Sequence, residues 1–265
     1  MKSLRFWVAL VVAVAAAFAG GFLGGQTAWA HGWHCGGGEP ACDRYYAVQG
    51  GPWTEGIKGH MFIETDMDLK DEAQDFVAHW MAVGNVLGEW VQIGFTDGVR
   101  PEGGSQPADT QSLYTETMTT CAGWGIDGYE YRDWEATSIW GTYKQVGVYR
   151  PAGSAVYCPG TQEIYQLYFY MKDGRAFWYG MMETTGGQVQ AGTEHGNWTH
   201  HESNSLVCFG TSFTCDPTPG AGLHLYTQAG GWSLWTSAPW FEETNNLLYD
   251  HVQHGNYYSF ITHRQ

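Results

Sequence analysis

Short runs in which apolar and polar residues alternate recur along most of the chain. In the run 89–95, Val91, Ile93 and Phe95 fall on one side of an extended chain, and Trp90 and Gln92 fall on the other. Gly, Asp or Pro residues separate such runs, which is typical of strands joined by turns. The predicted strands are 60–64, 76–83, 89–95, 112–118, 163–171, 176–182, 188–194 and 222–227.

Turn signals and the scarcity of helical periodicity indicate the fold class. Lys172-Asp173-Gly174 lies between two aromatic-rich runs, and an Asp-Gly pair in that position predicts a tight hairpin turn. Only 66–75 could form a helical turn, and only 241–254 contains a possible helical stretch. The sequence therefore predicts an all-β protein, a two-sheet antiparallel sandwich or jelly roll.

The first thirty residues differ from the rest of the chain. Lys2 and Arg5 flank the start of an apolar run over 6–18, and Ala28-Trp29-Ala30 matches a signal peptidase site. We expect residues 1–30 to be a cleaved signal peptide and the protein to be secreted and extracellular. We expect 31–59 to form an irregular N-terminal arm and 60–265 a single β-sandwich domain. No later stretch matches a spanning helix, which predicts no membrane association after cleavage.

Charge and aromatic content limit the class of partner. The formal net charge of −15 at pH 7 repels a phosphate backbone, so nucleic acid is not expected as a partner. The 14 Trp and 16 Tyr residues suit the core of a β-sandwich, and they also suit stacking against sugar rings. One hypothesis is therefore a non-catalytic extracellular module that binds carbohydrate or another surface.

The six cysteines are an even number in a chain predicted to be exported, which predicts three disulfides. Sequence alone leaves their pairing open. Cys35 and Cys42 are close in sequence, as are Cys208 and Cys215, so each pair could close a local loop and leave Cys121 with Cys158. No Cys-x-x-Cys occurs, so neither a zinc ribbon nor a thioredoxin-type site is supported.

Alternation also groups polar residues that could carry chemistry. Gln92 shares a strand face with Trp90, and Glu116 shares one with Tyr114. If these faces line the same sheet as the run 188–194, an amide, two carboxylates and an indole converge. The face of that run opposite Val189 and Ala191 carries Gln190, Gly192 and Glu194.

The motifs Trp90-Val91-Gln92-Ile93-Gly94 and Tyr114-Thr115-Glu116 resemble those of the glutamic peptidases and their neprosin-like relatives. These secreted proteins have a concanavalin-like sandwich, with a catalytic Gln and Glu on its concave sheet. The resemblance implies that Gln92 and Glu194 form the catalytic pair, with Glu183 as an alternative to Glu194. It also implies supporting roles for Glu116, Trp90 and Tyr114.

Such a pair would hydrolyse peptide bonds. A Glu carboxylate can take a proton from water as the water attacks a carbonyl, and a Gln N–H can donate to the oxyanion. The hypothesis is thus an acid endopeptidase that needs no metal or cofactor. Its substrate would be a polypeptide, whereas the binding module would hold an extracellular polysaccharide. The simpler alternative is that Gln92, Glu116 and Glu194 are unrelated strand residues.

Three other signals are weaker. Cleavage would leave His31 as the first residue, resembling the copper-binding histidine brace of lytic polysaccharide monooxygenases, but no context singles out the second histidine that a brace requires. We therefore predict no metal. Asn197-Trp198-Thr199 is a glycosylation sequon. A nucleophilic serine is not supported, because no Gly-x-Ser-x-Gly occurs.

Overall fold

Strands account for every regular element in the part of the chain that the structure describes. The computed structural model describes residues 42–50, 54–63, 68–69, 75–85, 87–98, 111–121, 129–136, 143–184, 187–197, 203–204, 207–209, 223–235 and 240–243. The predicted signal peptide, His31 and the end of the chain lie outside these residues. The strands are β1 Cys42–Gly50, β2 Gly56–Ile63, β3 Asp68–Leu69, β4 Asp75–Gly84, β5 Trp90–Gly98, β6 Ser112–Met118, β7 Tyr129–Ala136, β8 Tyr143–Tyr149, β9 Ala155–Tyr157, β10 Ile164–Lys172, β11 Arg175–Met182, β12 Gln188–Asn197, β13 Ser203–Asn204, β14 Val207–Phe209, β15 His224–Thr227, β16 Gly231–Leu234 and β17 Trp240–Glu243.

These strands form two large antiparallel sheets. The first sheet has the order β17-β1-β12-β4-β5-β6-β7. The second has the order β11-β10-β8-β2-β15-β16, with β14 paired to β2 and β9 paired to β10. A small third sheet joins β13 and β3. The prediction of an all-β, two-sheet antiparallel sandwich is therefore confirmed.

The hydrophobic core lies between the two large sheets. Val91, Ile93 and Phe95 alternate along β5 and are buried, as their spacing predicts. They belong to one apolar cluster with side chains from both sheets, and burial of this cluster is what holds the sheets together. The other members include Ile57, Met81, Val83, Val146, Val148, Tyr168, Tyr170, Val189 and Leu225.

The predicted hairpin turn is present. Strands β10 and β11 pair up to Lys172 and Arg175, and Asp173 and Gly174 form the two-residue loop between them. Both loop residues have positive φ, 49° for Asp173 and 76° for Gly174. An Asp-Gly pair suits this turn because Asp tolerates the left-handed region and Gly adopts it freely.

Three segments predicted to be irregular or possibly helical contain strands among their described residues. Part of the expected arm 31–59 is β1, which pairs with β12 on one side and β17 on the other. Of the possible helical stretch 241–254 the structure describes only 241–243, which belong to β17. Within the possible helical turn 66–75, residues 68–69 form β3 and residue 75 begins β4. Main-chain hydrogen bonds to neighbouring strands determine the extended conformation of these segments. Local periodicity in the sequence does not indicate such bonds. Strands β7, β8, β9, β13, β14 and β16 were also missed.

The Cys121–Cys158 disulfide is present, with a Cα–Cα distance of 5.6 Å. It confirms the one long-range pairing that the cysteine spacing suggested. The pairings predicted for Cys35 with Cys42 and for Cys208 with Cys215 lie outside the described side chains. Among the described residues, no helix has the length and apolarity needed to cross a membrane.

A buried carboxylate, Glu89, connects this disulfide region to both sheets. Its Oε1 accepts hydrogen bonds from the main-chain N–H of Thr120 at 2.7 Å and the Thr120 hydroxyl at 2.8 Å. Its Oε2 accepts from Asn85 Nδ2 at 2.6 Å and from the main-chain N–H of Glu183 at 2.7 Å. Glu89 therefore ties the beginning of β5 to the segment after β6 and to the end of β11.

Candidate active site

The first sheet has a second buried face, on the side that points away from the second sheet. We call this the outer face. One face of an antiparallel sheet often lies in water, yet seven side chains on this face are at most 6% exposed. Polar groups on this face are consequently shielded from water. Its members include Trp80, Ala82, Trp90, Gln92, Tyr114, Glu116 and Gln190.

Strand register places four of these residues in one line across the sheet. Gln92 of β5 lies opposite Glu116 of β6 and opposite Ala82 of β4. Ala82 in turn lies opposite Gln190 of β12. Side chains of directly opposite residues have Cβ atoms about 5 Å apart, which puts Gln92 and Glu116 within contact range of each other. We call these four residues the amide–carboxylate row.

The amide of Gln92 is held in place by Tyr114. Gln92 Nε2 donates to the Tyr114 hydroxyl oxygen at 2.6 Å, which leaves its second N–H for another acceptor. Gly94 lies opposite both Tyr114 and Trp80. A Cβ at Gly94 would lie 2.1 Å from the main-chain oxygen of His79, so only glycine permits this close approach of β4 and β5.

Glu116 is positioned from the other side of the sheet. The Tyr170 hydroxyl of the second sheet donates to the main-chain oxygen of Glu116 at 2.7 Å. The Glu116 side chain is 1% exposed and extends from the opposite face of its strand. Packing between the sheets thus fixes the backbone from which this carboxylate projects.

Several polar atoms of the outer face are buried without a hydrogen-bond partner among the described residues. They include Gln92 Oε1, Gln190 Oε1 and Trp90 Nε1. The nitrogen of the same side chain, Gln190 Nε2, donates to Gln188 Oε1 at 3.4 Å. A buried polar atom that lacks a partner costs about 1–3 kcal/mol, and native proteins contain few of them. A bound group with both donors and acceptors would satisfy these atoms.

The structure does not bring Glu194 or Glu183 to Gln92. Glu194 pairs with Ala78 on β4, two strands away from Gln92 and four residues along the sheet from the amide–carboxylate row. Strand spacing and rise put the Cα atoms of Glu194 and Gln92 about 17 Å apart in a flat sheet. Glu183 follows β11 of the second sheet and is exposed. Glu116 is the described acidic residue opposite Gln92.

Gln190 was not among the predicted site residues, although its alternation with Val189 and Ala191 already placed it on a polar strand face. Its position in the row depends on register. Alternation along a strand does not give register, because it specifies only the side of the sheet.

The second sheet carries a separate aromatic cluster on its own outer side, formed by Tyr149, Tyr226 and Trp232. Their ring centroids are 5.1–5.7 Å apart and the rings are tilted by 52–75° to one another. Lys58 Nζ lies 4.3 Å from the centroid of Trp232. Burial lowers the pKa of Lys58 and, with a smaller contribution from Tyr226, raises the pKa of Tyr149.

The described residues contain no group of three or more His, Cys, Asp or Glu side chains placed to hold a metal ion. The chemistry that the amide–carboxylate row offers is that of a carboxylate beside an oriented amide. The carboxylate can exchange a proton with a bound water or substrate, and the amide can donate to a developing oxyanion.

Comparisons with known proteins give structural similarity only. No protein-family model matches the chain, and no curated protein matches it. A scytalidoglutamic peptidase crystallised with a peptide-based transition-state analogue has a TM-score of 0.47 and 12% identity, with 83% of this chain and 98% of that chain covered. A native glycosidic hydrolase has a TM-score of 0.31 and 7% identity, with 67% of this chain and 80% of that chain covered. TM-scores and identities this low do not transfer a site or a reaction between proteins.

Proposed function

We propose that this chain is a hydrolase of the glutamic peptidase type that cuts polypeptides, with Gln92 and Glu116 as its catalytic residues. The observation that carries the proposal is their register, since they are direct cross-strand neighbours on a buried face. A single bound water can therefore contact both side chains. The motif resemblance favours Glu194 as the acid, but the distance along the sheet favours Glu116.

Hydrolysis by this pair follows from ordinary acid–base chemistry. The Glu116 carboxylate takes a proton from a water whose oxygen attacks the scissile carbonyl carbon. The free N–H of Gln92 donates to the carbonyl oxygen as that oxygen becomes negative, and Tyr114 keeps the amide oriented. Glu116 then gives the proton to the amide nitrogen as the C–N bond breaks, which restores the carboxylate.

The alternative function, a carbohydrate-binding module, has less support from the described residues. A sugar ring stacks on a flat aromatic face, whereas Tyr149, Tyr226 and Trp232 are strongly tilted to one another. The Lys58 ammonium group also occupies one side of Trp232. These rings pack as a small cluster and do not form a coplanar platform.

We also propose that the protein acts outside the cytoplasm. The signal-peptide pattern supports export, and so does the Cys121–Cys158 disulfide, because disulfides persist in oxidising compartments. The N-terminal residue of the protein secreted by an expressing cell, read by mass spectrometry, tests this. Residue 31 is expected, and an intact residue 1 would contradict it.

Cleavage of an unfolded protein tests the catalytic proposal. Residues 31–265 and their variants would be incubated with a reduced, denatured protein from pH 2 to 7, with new peptides detected by mass spectrometry. Gln92→Ala and Glu116→Gln should each lower the rate by about 100-fold or more, which is the usual effect of removing an oxyanion donor or the acid–base group.

The matched control is Glu183→Gln, since Glu183 is exposed and lies on the other sheet. It should cleave at the wild-type rate. No cleavage by the wild type at any pH would overturn the peptidase proposal. Loss of cleavage in Glu194→Gln with full activity in Glu116→Gln would reassign the acid to Glu194.

A further inference from the structure

The second sheet carries basic side chains next to its aromatic cluster. Lys58 of β2 lies directly opposite His224 of β15. His60 follows Lys58 by two residues on β2, so it points to the same side of the sheet. Burial lowers the pKa of His60, and the charges of His224 and Lys58 lower it further against an opposing effect of Asp173, as expected of close neighbours. Three basic side chains therefore share one patch.

This patch adjoins a line of aromatic residues that crosses the sheet. Trp232 lies opposite Tyr226, Tyr226 lies opposite Gly56, and Gly56 lies opposite Tyr149. Phe169 of β10 lies opposite Tyr149 and extends the line. A Cβ at Gly56 would lie 2.6 Å from the Cβ of Tyr149 and 2.9 Å from that of Tyr226, so glycine lets these two tyrosines approach each other across β2. We call the aromatic line and the three basic residues together the basic–aromatic face.

The basic–aromatic face is accessible, unlike the outer face of the first sheet. Each of its basic and aromatic side chains is half-buried. A ligand can therefore reach these side chains, whereas the side chains of the amide–carboxylate row are at most 2% exposed.

Acidic residues are distributed unequally between the two sheets. The chain has 27 Asp and Glu residues against 12 Lys and Arg residues. Every strand of the first sheet contains at least one Asp or Glu, but the eight described strands of the second sheet contain none. Asp173, in the turn between β10 and β11, is an acidic neighbour of the face. An acidic protein thus keeps one sheet free of carboxylates, which favours an anionic partner on that side.

The surroundings of Lys58 also favour an anion. Its ammonium group lies 4.3 Å from the ring centroid of Trp232 and forms no ion pair with a carboxylate among the described residues. Burial lowers the pKa of Lys58, because the partly desolvated charge is not balanced by a nearby anion. A carboxylate bound beside Trp232 would supply that balance through a charge-assisted hydrogen bond.

We propose that the basic–aromatic face binds an acidic polypeptide segment in which Asp or Glu residues lie next to aromatic or large apolar residues. The carboxylates contact Lys58 and His224, and the apolar side chains pack against the aromatic line. Rings that are tilted to one another can pack edge to face with further side chains, whereas a sugar ring needs a flat platform. This inference is independent of the proposed peptidase function, because the face belongs to the other sheet and contains none of the proposed catalytic residues.

A peptide titration tests the role of charge. The probe is an end-blocked octapeptide of Glu, Phe, Gly and Ser with a neutral fluorescent dye, and its anisotropy is measured at about pH 5.5, where Glu is ionised and Lys is charged. The Glu116→Gln variant is used so that the proposed peptidase does not consume the probe, and mass spectrometry checks that the probe is intact. The same peptide with Gln in place of Glu should bind about tenfold more weakly. Equal affinity for the two peptides would refute recognition by charge.

Substitutions on the sheet locate the binding site. Lys58→Met keeps the length of the side chain without its charge and should raise Kd about tenfold, whereas Lys58→Arg should stay within about threefold. Trp232→Leu should raise Kd about fivefold, because an aromatic contact is lost. The matched control is Lys144→Met, since Lys144 is half-buried in the same sheet but alternates with the core residue Val146 on the other side. Equal Kd values for Lys58→Met and Lys144→Met would overturn the assignment, with thermal unfolding used to check that all variants are folded.

Other occupants of the face would give different results. If an oligosaccharide of galacturonic acid displaces the probe at lower concentration than the unlabelled peptide does, the ligand is an acidic polysaccharide and the polypeptide proposal is wrong. If the protein alone sediments as a dimer that Lys58→Met dissociates, the occupant is a second copy of this chain. Absence of binding up to about 1 mM of the Glu-containing peptide would refute the proposal outright.

Discussion

Replacing Glu89 with Gln tests whether this carboxylate joins the two sheets. Glu89 is 1% exposed, and both of its oxygens accept hydrogen bonds. A Gln side chain has the same shape but only one acceptor oxygen. If the NH₂ group replaces Oε1, it faces the main-chain N–H of Thr120, whereas the Thr120 hydroxyl can turn and accept. If it replaces Oε2, it faces two donors, Asn85 Nδ2 and the main-chain N–H of Glu183. One or two unsatisfied donors at about 1–3 kcal/mol each give a loss of about 1–6 kcal/mol.

Urea unfolding measures this loss directly, with ΔG of unfolding obtained from midpoint and slope. For a protein of this size each kcal/mol lowers Tm by about 2–4 °C, so Tm should fall by about 2–24 °C. Glu183→Gln is the control, because the side chain of Glu183 is exposed and accepts only a long hydrogen bond, 3.4 Å, from the Thr120 hydroxyl. It should change ΔG by less than about 0.5 kcal/mol. Equal stability of Glu89→Gln and Glu183→Gln would refute the reasoning.

Two further predictions concern the disulfide and the pH dependence of stability. Cys121 and Cys158 are 37 residues apart, and their disulfide restricts the unfolded chain. Replacing both cysteines should therefore lower ΔG of unfolding by about 4 kcal/mol. An unchanged urea midpoint would contradict this. The pKa of His60 is lowered, chiefly by burial and then by the charges of His224 and Lys58, which outweigh an opposing effect of Asp173. The unfolded state therefore binds the proton more readily than the folded state, so the free energy of unfolding should fall as pH drops below about 6.5. Urea midpoints measured from pH 4.5 to 7.5 should show this decline, and His60→Gln should make it smaller. Parallel curves for the variant and the wild type would count against this.

The sequence determined the strand composition of the protein and the faces of several strands. Alternation in 89–95 and 112–118 is a local property, because successive side chains of any extended chain point to opposite sides. Alternation therefore placed Val91 in the core and Gln92 on the opposite face without knowledge of the neighbouring strands. The Asp173-Gly174 turn was likewise predictable, since its backbone angles follow from the two residue types themselves.

Register and strand order were decided only by the tertiary structure. Glu116 and Glu194 both occupy strand faces, and nothing in their local sequence says which of them lies opposite Gln92. The order β12-β4-β5-β6 brings Glu116 and Gln190 into the row of Gln92 and leaves Glu194 outside it. Register depends on contacts between residues far apart in the chain, which local periodicity does not encode.

The same reason explains β1 and β17. The segment Cys42–Gly50 lies in a Gly-rich stretch that reads as irregular, but it lies between β12 and β17 and hydrogen-bonds to both. Sequence thus determined which segments tend to be extended and which side chains avoid water. The three-dimensional pairing of strands decided which polar residues meet, because a sheet joins segments by main-chain hydrogen bonds that are the same for every side chain.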